Sequence, residues 1–279
     1  MGQQPLSQVP DTSISKMAAS LQHYTTALLK TTIDREGRRH AKHIGAGTFV
    51  SVGGTHGILT AHHVTRELNG PCSLAMTIST DAAAFSVDKN HLRILPIAEP
   101  QSDEYGPGLS FVVLAHPDVG SVKASMMSFW PLAPDREEML LNPPPSDVGI
   151  WFACGTPGER IKETYHESGF DKVIALEHFC GAGGPSREYS VADFDYIEMD
   201  TDCPEEGDLP QSYEGMSGGG LWQVKIRRST EGDFIPTKTY FAGLVFYEVA
   251  LGNRRWSLRC HGRRSIYERL YSAVELQCA

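Results

Sequence analysis

Apolar positions change period near the start of this chain, and the change divides it. Ile14, Met17, Leu21, Tyr24 and Leu28 recur at intervals of three and four. That spacing predicts an amphipathic helix over Ser13–Ile33, with Asp11, Thr12 or Ser13 as its N-cap. A helix packed on the main body is favoured over one that lies on a membrane surface or binds a partner. After the charged stretch Asp34–Arg39 the pattern shortens into strands broken by glycine and proline. Ile44–Val52, Gly57–Val64 running into a short turn, Ser73–Ser79, Ala83–Val87, Leu92–Ile94 and the stretch Tyr105–Leu114 form a first set. Asp135–Leu141 and Pro143-Pro144-Pro145 read as a crossing. A second set follows: Val148–Cys154, Val173–His178, Tyr189–Val191, Tyr196–Asp200, Leu221–Ile226 and Tyr240–Tyr247. Arg264–Leu276 returns to helical spacing through Ile266, Leu270 and Ala273 or Val274. The pattern predicts an all-β body with a helix at each end.

Composition narrows the function. At 279 residues the chain can bury a sizeable core, and its formal charge of −9 argues against a general phosphate-binding surface. No nucleic-acid partner is expected. No apolar run approaches transmembrane length, no basic-then-apolar leader is present, and Leu6 stands where myristoylation needs Ser or Thr. No membrane association is expected. The six cysteines form no Cys-x-x-Cys pair, so a zinc site is disfavoured and reduced thiols in a cytoplasmic protein are expected. No metal and no cofactor are expected. Asp193, Asp195, Glu198, Asp200, Asp202, Glu205, Glu206 and Asp208 lack EF-hand spacing. They read as a solvated face that pairs with Arg254, Arg255, Arg259, Arg263 and Arg264. Gly155-Thr156-Pro157-Gly158-Glu159 lacks the Lys-Ser/Thr ending of a phosphate loop.

The candidate chemistry lies in Gly215-Met216-Ser217-Gly218-Gly219-Gly220-Leu221-Trp222. Glycines set a hydroxyl on a tight turn and let a ligand approach the backbone. Two amides of such a turn, those of Gly215 and Ser217, can stabilise an oxyanion. The plain alternative is a Ser/Gly hairpin. Upstream, Ala46-Gly47-Thr48-Phe49 precedes a hairpin whose second strand ends in Thr60-Ala61-His62-His63-Val64. A serine hydroxyl becomes a nucleophile when an imidazole takes its proton.

Taken together these stretches resemble the trypsin-like (chymotrypsin-fold) serine peptidases. The resemblance implies two six-stranded antiparallel β-barrels, an N-terminal helical extension over 1–35 and a peptidase domain over 36–279. Within that domain it implies a first barrel at about 36–130, a second at about 146–262 and a helix at about 263–277. It makes His63 the general base and Ser217 the nucleophile, with the oxyanion hole at Gly215, Met216 and Ser217. Gln211 is implied as the floor of the specificity pocket, with Glu214, Gly243 and Phe246 also at the substrate; Glu214 and Glu248 lie where a basic or polar substrate could meet them. His40, His43, His56 and His62 read as ordinary polar residues. In the family an Asp opens the strand that starts here at Gly108, and Asp103 and Glu104 are the nearest substitutes in sequence. The implied function is hydrolysis of a polypeptide, with a regulatory protein partner left open. The alternative is a weakened or inactive binding module on the same fold.

Overall fold

The computed structural model describes residues 9–78, 84–98, 108–165, 172–202, 209–230, 233–253 and 255–278. Helix α1 (Asp11–Gln22) buries Met17 and Leu21 and ends well before Ile33. The predicted helix over Ser13–Ile33 is therefore corrected in its second half. Thr25–Ile33 forms strand β1, because its run of threonines with a terminal isoleucine is β-branched and stiff at χ1, which favours a pleated surface.

The main body is all-β and consists of two antiparallel sheets. The first contains β1, β2 (Arg39–Val52), β3 (Thr55–Ala61), β4 (Ser73–Thr77), β5 (Ala84–Asp88), β6 (Arg93–Ala98) and β7 (Leu109–Val113), in the order β5-β4-β1-β2-β3-β7-β6. A two-residue strand, β8 (Trp130–Pro131), adds to β2 in parallel. Since β1 lies between β4 and β2, the body of the fold begins before residue 36. Three short helices interrupt or follow this sheet: α2 (His62–Arg66), α3 (His116–Ala124) and α4 (Arg136–Leu141).

The second half supplies β9 (Ile150–Gly155), β10 (Ile161–Tyr165), β11 (Lys172–Leu176), β12 (Phe179–Gly183), β13 (Arg187–Val191), β14 (Phe194–Asp202), β15 (Gly220–Arg228), β16 (Phe234–Gly252) and β17 (Arg255–His261). Seven of them order as β12-β9-β15-β16-β17-β14-β13, while β10 and β11 pair as a separate ribbon. Among the described residues the two sheets hold eight and seven strands, each as an open path. Ser265–Leu270 winds as a π-helix and continues into α5 (Tyr271–Cys278). No described helix is long and apolar enough to cross a membrane.

Aromatic packing joins the halves. Tyr24, between α1 and β1, lies 5.3 Å from Trp130 and 5.4 Å from Trp222, and the two indoles meet edge-on at 5.1 Å. The acidic stretch is largely paired: Glu198 bonds Arg259 at 3.0 Å, and Asp195 accepts from the amides of Arg264 and Ser265. Its members from 203 to 208, like Arg254, lie outside the described residues. The expectation of reduced thiols is corrected at one place. Cys154 on β9 and Cys180 on β12 face each other in register and form a disulfide. The sequence could not show this, because the pairing depends on how two distant strands meet. Cys72, Cys260 and Cys278 are free, and Cys203 lies outside the described residues.

Candidate active site

The turn at Gly215–Gly219 is held from both sheets. Ala46 in β2 donates its amide to the Ser217 carbonyl at 2.8 Å, and Thr48 Oγ1 donates to the Gly218 carbonyl at 3.2 Å. From the second sheet, Gly218 donates to Val245 at 2.7 Å and Val245 donates back to Gly219 at 2.8 Å. Gly215 and Gly218 have φ of 93° and 98°, a region that L side chains rarely adopt. A Cβ on Gly218 would collide with Ala46 O and Thr60 Oγ1. The glycines are thus required by conformation and by close backbone approach.

Amide use within the turn is uneven. Met216 spends its N–H on Tyr213 O at 3.0 Å, and its side chain is fully buried. The amides of Gly215 and Ser217 have no acceptor among the described residues. Unsatisfied N–H groups are uncommon in folded proteins; here two flank one peptide unit beside a hydroxyl. Of the three residues expected to form an oxyanion hole, Met216 therefore has no free amide to offer, because that group closes the turn.

Ser217 and His63 line one cleft of about 970 Å³. His63 is the second residue of α2 and its side chain is exposed. Crowding at the cleft wall, then the neighbouring His62, hold its pKa below the usual value, and Glu67 opposes them. His62 turns the other way: its Nδ1 shares a 3.2 Å hydrogen bond with Ser110 Oγ on β7, and its amide donates to Gly108 O at 2.9 Å. Ser217 Oγ donates to the Phe246 carbonyl at 3.2 Å. Around Gly108, an added Cβ would meet nothing closer than the His62 backbone nitrogen at 3.8 Å. Asp103 and Glu104 lie outside the described residues.

The other expected substrate residues separate. Glu214 and Phe246 line the cleft, whereas Gln211 and Gly243 do not. Gln211 is exposed, its amide bonded to the Glu159 carboxylate at 2.9 and 3.0 Å. Gly243 sits mid-sheet opposite Leu221, close to the His261 carbonyl. Two further residues stand at the cleft, Glu248 where the resemblance set it and His43 where it did not. Glu248 lines the cleft, and its oxygens accept from Ser212 Oγ at 3.1 Å and Tyr213 N at 2.7 Å. His43, read as an ordinary polar residue, also lines the cleft, and its Cε1 stands 2.8 Å from where a Gly215 Cβ would be. Desolvation lowers its pKa to about 4. Its only sequence signal was proximity to the Gly-x-Gly-Thr strand. Among the described residues no group of three or more His, Cys, Asp or Glu side chains could hold a metal ion.

Comparison with known proteins finds no matching family model and no matching curated protein. Solved structures resemble the chain distantly. The HtrA-type protease AlgW with a decapeptide is 12% identical, covering 93% of this chain and 67% of its own, with a TM-score of 0.46. Rv3671c from M. tuberculosis H37Rv, in the inactive form of a serine-to-alanine mutant, is 10% identical over 99% of this chain and 97% of its own, at 0.45. A structure from work on the Sesbania mosaic virus VPg protein is 17% identical over 89% and 90%, at 0.44. At these values the likeness concerns overall shape, and the functional reading rests on the site itself.

Proposed function

We propose that this protein is a trypsin-like serine hydrolase that cleaves peptide bonds through Ser217 and His63. The observation that carries the reading is the pair of unspent amides, Gly215 and Ser217, on the same turn as a hydroxyl that shares a cleft with His63. Ser217 Oγ attacks the substrate carbonyl carbon while His63 takes its proton. The two amides receive the developing oxyanion, and His63 then returns the proton to the leaving amine. Water repeats the sequence on the acyl-enzyme. A depressed His63 pKa suits a base that must be neutral before it acts. Beyond Leu244, β16 no longer pairs with β15; Val245 still bonds the Gly218–Gly219 turn, and among the described residues the strand ladder continues with β17 alone. The edge from Phe246 onward is therefore open to an extended peptide, which can add there as a strand. A cytoplasmic setting and a regulatory protein partner belong to the same proposal.

A second reading is a binding module that has lost catalysis. Gly108 favours it, since glycine offers no carboxylate to orient His63. Reaction of a fluorophosphonate probe with the purified protein, beside Ser217→Ala, separates the two. Labelling that disappears in Ser217→Ala supports the hydrolase, and absence of labelling in a folded wild-type protein supports the binding module.

A further inference from the structure

Glu248 is a carboxylate that, among the described residues, has no counter-charge in a confined place. It is half-buried on β16, two residues beyond Phe246, whose carbonyl touches Ser217 Oγ. Two residues of strand span about 7 Å, within reach of a long side chain lying beside the nucleophile. Ser212 Oγ and Tyr213 N hold one oxygen each, which fixes the group and leaves lone pairs for further donors. No cation pairs with it among the described residues; Lys42, the one lysine that lines the cleft, is bound 3.0 Å away to Glu67. Burial, with the Glu214 charge adding to it, raises the Glu248 pKa above the ordinary carboxylate value. A half-buried charge without a partner costs stability, so its presence in a cleft indicates a ligand that supplies the partner. Leu258, its register partner on β17, is buried and lines the same cleft. It offers an apolar wall for the methylene stem of a basic side chain.

We infer that Glu248 is the specificity-determining residue of this cleft and takes the cationic side chain, lysine or arginine, of a polypeptide substrate. The inference rests on the proposed hydrolase reading for its substrate. It also replaces Gln211, the expected floor of the pocket, with a charge supplied from another strand.

Binding can be measured without turnover. In the Ser217→Ala protein, p-aminobenzamidine is compared by calorimetry with its neutral analogue 4-aminobenzamide. The amidine is expected to bind tighter by about tenfold or more, and Glu248→Gln added to that protein is expected to erase the difference. Glutamine keeps an acceptor for Tyr213 N and a donor for Ser212 Oγ, and thermal melting checks that the variant is folded. Glu248→Asp retains the charge and should keep part of the preference. In the active protein, kcat/KM for a lysine substrate over its norleucine counterpart should fall from about tenfold to near unity in Glu248→Gln. Equal binding of amidine and amide, or a preference that survives in folded Glu248→Gln, overturns the inference. Amidine binding through Glu248 with no peptide cleaved would instead refute the hydrolase reading and leave a cation pocket.

Discussion

Ser217 Oγ donates its hydrogen bond to the carbonyl oxygen of Phe246 at 3.2 Å rather than to His63. The hydroxyl is thereby held on the strand that also carries Glu248. The proposed mechanism requires that neutral hydrogen bond to be exchanged for one to the His63 imidazole, with which Ser217 shares the cleft. Apo geometry at catalytic hydrogen bonds is often loose in this way.

The two histidines of α2 should separate cleanly. His63→Ala is expected to slow fluorophosphonate labelling of Ser217 by about 10²-fold or more, the usual worth of a general base. His62→Ala should cost much less, because its ring is spent on Ser110. Since His63 is held below 6.5, the labelling rate should rise with pH through a midpoint under that value and then level. Equal losses from the two substitutions would move the base elsewhere.

Gly108→Asp is expected to raise kcat/KM. A carboxylate that orients the catalytic histidine contributes about 10⁴-fold in the serine-protease case, through tautomer and imidazolium stabilisation. The site has room: an added Cβ meets His62 N at 3.8 Å and His62 Cβ at 3.9 Å, and φ is not in the left-handed region. Unchanged or lower turnover in the folded variant would mean that another acid already orients His63.

Acid should destabilise the fold through its enclosed histidines. His261 is fully buried, with both ring nitrogens unpartnered and Phe246 and Tyr196 at 4.6 and 5.3 Å. Burial lowers its pKa to about 3, and desolvation holds His178, between Thr156 and Thr77, at about 4, like His43. Below pH 6.5 the unfolded chain binds these protons and the folded one does not. Stability therefore falls from pH 6.5 toward 4, by up to about 1.4 kcal/mol per pH unit for each group. His261→Phe removes an orphaned N–H and one titrating site. It should raise the melting temperature at pH 7 and flatten the decline on acidification; a lower melting temperature at pH 7 would refute this account of His261.

Thiol counting on unreduced protein should find Cys154 and Cys180 protected. Their sequence separation of 26 corresponds to about 3.5 kcal/mol of stabilisation in the chain-entropy view. Mild reduction should lower the melting temperature accordingly. Reactivity of both thiols without reductant would restore the reduced state expected from composition.

Much of the strand pattern was legible in the chain, because alternation and turn residues are local properties. Leu221–Ile226 lies within β15, and Arg264–Leu276 is helical as its spacing required. The glycines around Ser217 were legible for the same reason: a turn with positive φ must be written in its own residues. Other features depended on partners far away in sequence. Tyr24 and Leu28 fit a helical face, yet pairing with β2 and β4 placed Leu28 in a strand. The resemblance implied Gln211 as the pocket floor and named Glu248 beside it; the β16–β17 register brings Glu248 and Leu258 to the cleft, and Gln211 stays outside it. The two histidines of Thr60-Ala61-His62-His63-Val64 are chemically alike as letters. The antiparallel pairing of β3 with β7 sets Ser110 against His62, while His63 lines the cleft with Ser217. Local chemistry thus determined which groups exist, and long-range pairing decided which of them share a cavity.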